Sequence, residues 1–356
     1  MVSLTLACIV YLLGDTRVLR KATISAARYR RWTFDVYYVA YCVPRQPAGH
    51  DDDIHRYVWD GRLQRLGYNP YIVVPSDPDF NALHTPETRN LNNPDLPSPY
   101  PPGAQLFFRA VTAIRESVFA LKLAFVICDF AIALILLDLL RTNGREAHLV
   151  LAYAWNPLLG IEVAGSGHID IVGALLLVIS VAALSRKWSV IAGLTFGLSV
   201  AVKFLPIVLL PLYWKRVRLR DALLTAFAVA LLYVPFLNHG RIPIGSLGTY
   251  VRTFRFNGPV FAALDRVASP QLLLGLAVLV GFAASICLRR TQDQPLPNVF
   301  AWPMAASLLC APAVFPGYLL WLLPFLTGVS TTLIIVWTVA IIPTYIQWHL
   351  RALGHP

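Results

Sequence analysis

The sequence is poor in charged side chains. Asp, Glu, Lys and Arg make up 14% of its 356 residues, whereas a soluble domain usually carries about 25%. Hydrophobic residues make up 57%, and the mean hydropathy is +0.59. This composition excludes an ordinary soluble domain and indicates a protein that lies in a membrane.

Cysteine is scarce, and its spacing excludes a familiar metal site. The five cysteines lie in or near apolar segments: Cys8, Cys42, Cys128, Cys287 and Cys310. Because no CxxC or Cys/His ligand spacing occurs, neither zinc nor a disulfide framework is predicted, and the cysteines are interpreted as packing residues. The sequence also lacks an obvious internal repeat, so a single domain is expected over 1–356.

Long apolar runs are abundant. They lie at 117–140, 148–164, 171–184, 189–202, 204–214, 221–237, 270–288, 298–311, 317–328 and 329–347, with weaker candidates at 3–13 and 32–44. Several approach the length of about 20 residues that crosses a bilayer, and the shorter ones need tilt or pairing. We therefore predict an all-α polytopic membrane protein with about 10–12 transmembrane helices. Residues 1–14 lack the charged start and cleavage site of a secretory signal, so 3–13 is interpreted as a membrane span.

The basic residues are concentrated in alternate connections. Sixteen of the thirty Lys and Arg lie in five short segments, at 15–31, 141–148, 186–187, 215–220 and 289–290. This pattern is typical of cytoplasmic loops in an inner bacterial membrane. It places 45–116, 165–170, 238–268 and 312–317 on the external face of the plasma membrane. The net charge of +11 is explained by topology and attraction to membrane lipids, without nucleic acid.

The longest polar insertion, 45–116, is the predicted external catalytic loop. Within it, IHRYVWDGRLQRLG (54–67) is expected to form an amphipathic helix that Gly67 ends, with an apolar side made of Ile54, Tyr57, Val58, Leu63 and Leu66. PPGAQLFFRAVTAIRES (101–117) has proline at its start and an apolar face, which indicates a second interfacial helix. Residues 238–268 form a second external loop.

An acidic run opens the catalytic loop. It joins three aspartates to nearby cations: Asp51, Asp52, Asp53, His55, Arg56 and Arg62. Asp52 or Asp53 could simply cap the helix that follows. Glycosyl transfer from a lipid phosphate requires a carboxylate beside cations. The carboxylate takes the proton of the acceptor hydroxyl, and the cations neutralise the departing phosphate. A divalent ion between Asp52 and Asp53 is conceivable, but no third ligand is evident, so neither a metal nor another cofactor is predicted.

Three later patches carry further polar candidates. His168 and Asp170 in GSGHID could converge in a turn, although Asp170 could instead cap the next helix. Lys203 in AVKFLPIVLLP could reach a lipid phosphate or extend to the interface. Arg255 and Asn257 in TYVRTFRFNGPVF suit a sugar ring and a phosphate, whereas the aromatics alone suit an interfacial belt.

These segments together resemble a known family. DDDIHRYVWDGRLQRLGYNPY, PSDPDF and LNNPDLPSPYPPGAQLFF resemble the first external loop of GT-C superfamily glycosyltransferases, in the branch of polyprenyl-phosphate-mannose-dependent mannosyltransferases. GSGHIDIV, VKFLPIVLLP, FRFNGPVF and PAVFPGYLLWLLP resemble later landmarks in the same order, so the resemblance spans about 50–325. His55 stands where the family pattern has tyrosine, and Gly317 stands where it has tryptophan.

The resemblance implies a GT-C-like fold and a membrane glycosyltransferase. The expected reaction moves a hexose, with mannose the expected sugar, from a polyprenyl-phosphate donor to a hydroxyl of a glycolipid or glycan, with inversion. Asp53 is the expected general base, with Asp52 beside it. Arg56, Arg62 and Lys203 are expected to bind the donor phosphate. The expected substrate contacts are His55, Trp59, His168, Asp170, Arg255 and Asn257.

Two other interpretations stay open from the sequence. A transporter or flippase of a lipid-linked sugar would have duplicated halves with matched broken helices, and no duplicated half is obvious. A non-catalytic scaffold would tolerate loss of both Asp52 and Asp53.

Overall fold

A computed structural model describes residues 53–89, 91–238, 242–291, 297–327 and 331–345. Several predictions lie outside these residues. They concern Asp52, the spans at 3–13 and 32–44, and the basic connection 15–31.

The described chain is built from helices. The α-helices are α1 (Asp53–Arg65), α2 (Pro102–Ile114), α3 (Val118–Thr142), α4 (Leu151–Ala154), α5 (Asp170–Ser185), α6 (Ser189–Val202), α7 (Leu210–Tyr213), α8 (Leu219–Tyr233), α9 (Leu247–Thr253), α10 (Pro259–Leu264), α11 (Pro270–Thr291), α12 (Ala301–Leu309) and α13 (Thr332–Ala340). A π-helix, Leu159–Ser166, precedes α5, and a 3-10 helix covers Pro316–Trp321. The predicted all-α architecture is confirmed.

Three helical segments are long and apolar enough to cross a membrane, within the residues described. They are Val118–Thr142, Leu219–Phe236 and Pro270–Arg290. Shorter apolar helical segments cover Asp170–Ser185, Ser189–Val202 and Pro316–Phe325. Helix α3 exposes an apolar stripe at a spacing of three or four residues: Phe119, Leu123, Ile127, Phe130 and Leu134. Such a stripe is unfavourable in water and favourable against lipid.

Helix α5 is largely buried. It packs between α3 and α6 and buries most of its residues, including Asp170 at its first position. Gly173 allows the ring of Trp321 to lie directly on the helix backbone, because a Cβ there would come within 2.0 Å of Trp321 Cη2. This packing fixes the start of α5 relative to the 3-10 helix Pro316–Trp321.

Four loops that the charge pattern assigns to one face do meet in the structure. The joining hydrogen bonds are Ser246 Oγ to Pro97 O at 2.7 Å and Val314 N to Phe256 O at 2.7 Å. His168, in the fourth loop, lies 3.9 Å from Asp53. Basic connections also contact one another or their neighbours, as where Arg186 pairs with Asp138 and Arg218 N donates to Ser189 Oγ at 2.9 Å. The side of the membrane on which each set lies stays a prediction.

Candidate active site

Helix α1 begins with the candidate base and is held close to α2. An acidic residue in the first turn suits the positive end of the helix dipole, and Asp53 is the first residue of α1. Gly67, at φ +85°, follows the helix as expected for a left-handed cap. Tyr57 stacks on Phe108 with ring centroids 4.4 Å apart, and Gly61 lets the α2 backbone approach, since a Cβ there would be 2.7 Å from Phe108 O.

The burial of the side chains of α1 differs from that of the one-sided amphipathic helix that the sequence predicts. Leu66, predicted to belong to the apolar side, is 48% exposed. Asp60 and Gln64 are buried, and Gln105 Nε2 donates to Asp60 Oδ2 at 2.8 Å. Burial raises the pKa of Asp60, and the neighbouring guanidinium of Arg56 opposes that shift. The helix therefore lies inside the folded loop, where the side chains of Asp60 and Gln64 both hydrogen-bond to Gln105.

Two of the three predicted phosphate-binding cations are occupied within this loop. Arg56 is 3% exposed, donates to Leu96 O and lies with Nε 3.6 Å from Asp60 Oδ1. Arg62 Nη1 lies 2.6 Å from Glu116 Oε1. These placements differ from the predicted contact with a donor phosphate, because each guanidinium already balances a carboxylate that orders the loop.

Trp59 and His55 take different positions on α1. Trp59 is fully buried, and its ring stacks on His84 with centroids 4.1 Å apart. This packing differs from the predicted contact between Trp59 and substrate, because the ring faces the loop interior. His55 is half-buried, and its role as a substrate contact stays a prediction.

Asp53 itself is partly open and surrounded by polar groups. Its side chain is 28% exposed, and Oδ2 lies 3.9 Å from His168 Nδ1. Asn92 Nδ2 donates to Oδ1, and the half-buried Tyr100 phenol interacts with the same carboxylate. Burial and the Asp53 charge together raise the pKa of Tyr100, so the phenol stays protonated. Asp53 is thus held in place while its carboxylate remains accessible.

The turn that carries His168 is built by the π-helix before it. Gly167, at φ +82°, ends this helix, and the backbone N–H groups of Gly167 and His168 donate to Glu162 O at 3.0 and 2.9 Å. The His168 ring then lies against the side chain of Glu162, with Nε2 3.0 Å from Glu162 Oε2. Because π-helices are frequent at functional sites, this geometry marks the turn as a candidate site element.

His168 lies between carboxylates. Burial alone would lower the pKa of its imidazole, but Glu162, Asp53 and Asp170 together raise the pKa to about 9. The ring is therefore an imidazolium at neutral pH, and it balances part of the negative charge around Asp53.

The third predicted cation, Lys203, joins the same cluster. Helix α6 ends at Val202, and Lys203 Nζ lies 2.7 and 2.8 Å from the two oxygens of Asp170. Trp321 Nε1 donates to Asp170 Oδ1 at 2.6 Å, and Lys203 Nζ lies 3.9 Å from the centre of the Tyr318 ring. The Lys203 side chain is 24% exposed, whereas that of Asp170 is 1% exposed. Lys203 is thus the more exposed partner of the pair.

The loop 238–268, predicted to be external, reaches this cluster through an aromatic contact. Tyr250 and Tyr318 share a hydrogen bond between their hydroxyls. Arg255 pairs with Asp265 at 3.0 Å within its own loop, and Asn257 adopts φ +49° beside the bridge that joins Phe256 to Ala313. The described contacts of Arg255 lie away from Asp53, and substrate-binding roles for Arg255 and Asn257 stay predictions.

The structure adds residues that sequence reasoning missed. Glu162, Tyr100, Asn92, Tyr318 and Trp321 all contact the candidate site. An isolated acid in an apolar run was a usable signal for Glu162. For Asn92 no local signal exists, because its role depends on how the loop folds back onto α1.

Comparison with known proteins gives a family and a fold. Residues 1–217 match the family model described as Alpha-(1->6)-mannopyranosyltransferase, N-terminal domain. The structure is similar to the crystal structure of ArnT from Cupriavidus metallidurans bound to undecaprenyl phosphate, with a TM-score of 0.51 and 16% identity. The match covers 86% of this chain and 61% of that one, so the chain spans about three fifths of the length of ArnT. No curated protein matches the chain. At this identity the likeness shows the fold, and the predicted GT-C-like architecture is confirmed.

Proposed function

The chain belongs to the alpha-(1->6)-mannopyranosyltransferase family, and we propose that it is a membrane transferase with Asp53 as general base. The donor is a polyprenyl-phosphate hexose, with mannose the expected sugar. The acceptor is a hydroxyl of a glycolipid or glycan on the external face of a bacterial plasma membrane. The undecaprenyl phosphate bound to ArnT supports the donor class by analogy of fold.

One observation carries this proposal. A partly exposed acidic side chain and a partly exposed basic side chain, those of Asp53 and Lys203, belong to one polar cluster that His168 and Asp170 connect. The cluster lies where the predicted external loops meet the ends of α5 and α6. A sugar phosphate whose lipid tail lies between helices would bring its head group to such a place.

The cluster supports a single displacement. The acceptor oxygen attacks the anomeric carbon, the bond from that carbon to the phosphate oxygen breaks, and Asp53 takes the acceptor proton. The lipid phosphate leaves as an anion that Lys203 neutralises. One displacement inverts the anomeric centre, so the α linkage in the family description requires a β-linked donor.

The loop arginines have another role in this scheme. Arg56 holds α1 through Leu96 O and Arg62 holds it through Glu116, and we assign the donor phosphate to Lys203. Substrate contact is assigned to His168, which lies beside Asp53.

The test uses purified full-length protein, a panel of labelled polyprenyl-phosphate sugars and membrane acceptors. We expect transfer from one lipid donor, none from nucleotide sugars, and loss of transfer in Asp53→Asn with the fold retained. Asp79→Asn is the matched control, because Asp79 is an exposed aspartate elsewhere in the same loop. Normal turnover by Asp53→Asn would remove Asp53 from the base role, and transfer from a nucleotide sugar alone would overturn the donor class.

A further inference from the structure

Glu162 is a buried carboxylate with a defined cationic partner. It lies inside the π-helix, its side chain is 2% exposed, and His168 Nε2 lies 3.0 Å from its Oε2. A buried carboxylate is costly unless it is paired with a cation or fully hydrogen-bonded. The contact with His168 therefore offsets part of the cost of burying the Glu162 carboxylate.

The pair also fixes which atom of His168 faces Asp53. With Nε2 on Glu162, the other ring nitrogen, Nδ1, is directed to Asp53 Oδ2 at 3.9 Å. Backbone hydrogen bonds from Gly167 and His168 to Glu162 O hold the same turn. The side chain and the backbone of Glu162 thus act together on the position of the ring.

Gly317 leaves room for this pair. A Cβ at Gly317 would lie 2.8 Å from Glu162 Oε2 and 3.2 Å from His168 Cγ. Any side chain there would press against both partners, so glycine allows the 3-10 helix Pro316–Trp321 to pack directly on the pair.

We propose that Glu162 is a positioning residue, which orients His168 toward Asp53 and maintains the imidazolium during sugar transfer, and that Gly317 is required for this arrangement. The inference depends on the proposed function, because the effect of Glu162 on transfer is exerted through His168 and Asp53.

The charged groups around the ring determine the expected pH dependence. Glu162, Asp53 and Asp170 act on His168, and the more distant cations are Lys203, paired with Asp170, and Lys122, which donates to Gly165 O. Since the folded-state pKa of about 9 exceeds the ordinary value of 6.5, the stabilisation of the folded protein by the imidazolium is complete below that ordinary value. It is lost as pH rises through 9.

The first test is Glu162→Gln, which keeps the shape of the side chain and removes its charge. We expect the alkaline limb of the transfer rate to move down by about one pH unit or more, toward the ordinary range of histidine. Glu146→Gln is the matched control, because Glu146 is exposed and lies 3.8 Å from His148, away from the candidate site. The control should keep the parent profile. A Glu162→Gln profile that falls equally at every pH, or that does not change, would overturn the inference.

The second test does not depend on turnover. Histidine-labelled protein in detergent is titrated by NMR, with His168→Gln used to assign the His168 signal. The parent should titrate near pH 9, and both Glu162→Gln and Gly317→Ala should titrate at lower pH. A His168 signal that titrates identically in the parent and a folded Gly317→Ala protein would also overturn the inference.

These outcomes separate the inference from the proposed function. If the parent transfers sugar and Asp53→Asn does not, while Glu162→Gln keeps the parent pH profile, only the inference fails. If the His168 titration shifts as expected but Asp53→Asn turns over normally, the positioning geometry stands and the base assignment fails.

Discussion

Lys203 offers a sharp test, because its two proposed contributions can be separated. In Lys203→Met the ammonium is lost, and Asp170, with 1% of its side chain exposed, keeps only Trp321 Nε1 of its two described donors. Removing one partner of a buried ion pair typically costs about 3–5 kcal/mol. Because Lys203 is 24% exposed and Asp170 lies at the favourable end of α5, we expect the lower value, about 3 kcal/mol in the free energy of unfolding.

A second substitution removes the stability cost without restoring the cation. In Lys203→Met combined with Asp170→Asn, the buried charge is gone and the amide oxygen still accepts from Trp321. We expect stability within about 1 kcal/mol of the parent, because a buried group left uncompensated is what makes the single substitution costly. Donor binding should not recover, since a hydrogen bond to a charged group contributes about 1.5–3 kcal/mol, or about ten- to hundredfold in affinity.

The assays are thermal unfolding in detergent and equilibrium binding of labelled polyprenyl phosphate. The single variant should lose both stability and affinity, and the double variant should regain stability alone. Recovery of donor affinity in the double variant would refute a direct contact between Lys203 and the phosphate. It would assign Lys203 to holding Asp170 instead.

Two further outcomes are expected. Gly173→Ala should lower the free energy of unfolding by about 1–3 kcal/mol, as overpacking typically does, because its Cβ would come within 2.0 Å of Trp321 Cη2. Thermal unfolding measures this, and unchanged stability would contradict the close packing of α5 on that ring. Treatment with EDTA should leave the transfer rate unchanged, because Lys203 is assigned the charge neutralisation that a divalent ion would otherwise supply. A loss of transfer that Mg²⁺ restores would contradict that assignment.

Much of the fold could be predicted from the sequence because its determinants are local. Apolar runs and alternating basic connections are properties of composition and spacing. Helix α1 ends close to where Gly67 predicts, and α2 begins where the prolines predict. The burial of α1 could not be predicted in the same way. It depends on Ser98 and Gln105, more than thirty residues away in the chain, which donate to Asp60.

The candidate site, too, could be predicted from the sequence only in part. Asp53, His168, Asp170 and Lys203 were expected as separate signals, and the structure brings them into one cluster. Arg56 and Arg62 were assigned to phosphate because cations near a carboxylate suit that chemistry. Their carboxylate partners, Asp60 and Glu116, become neighbours only through the helical spacing of α1 and the return of the chain after α2.

Helix packing sets the relation between the proposed base and the proposed phosphate ligand. Asp53 begins α1, α1 packs on α2 through Gly61, and Gly103 in α2 lies against the backbone of α6, where a Cβ would be 2.7 Å from Ala201 O. Helix α6 ends one residue before Lys203. Both contacts are backbone approaches that side chains would prevent, so they leave little room for α1 to slide relative to α6. The separation between carboxylate and ammonium is therefore a property of three packed helices, which suits a reaction that depends on positioning a sugar between them.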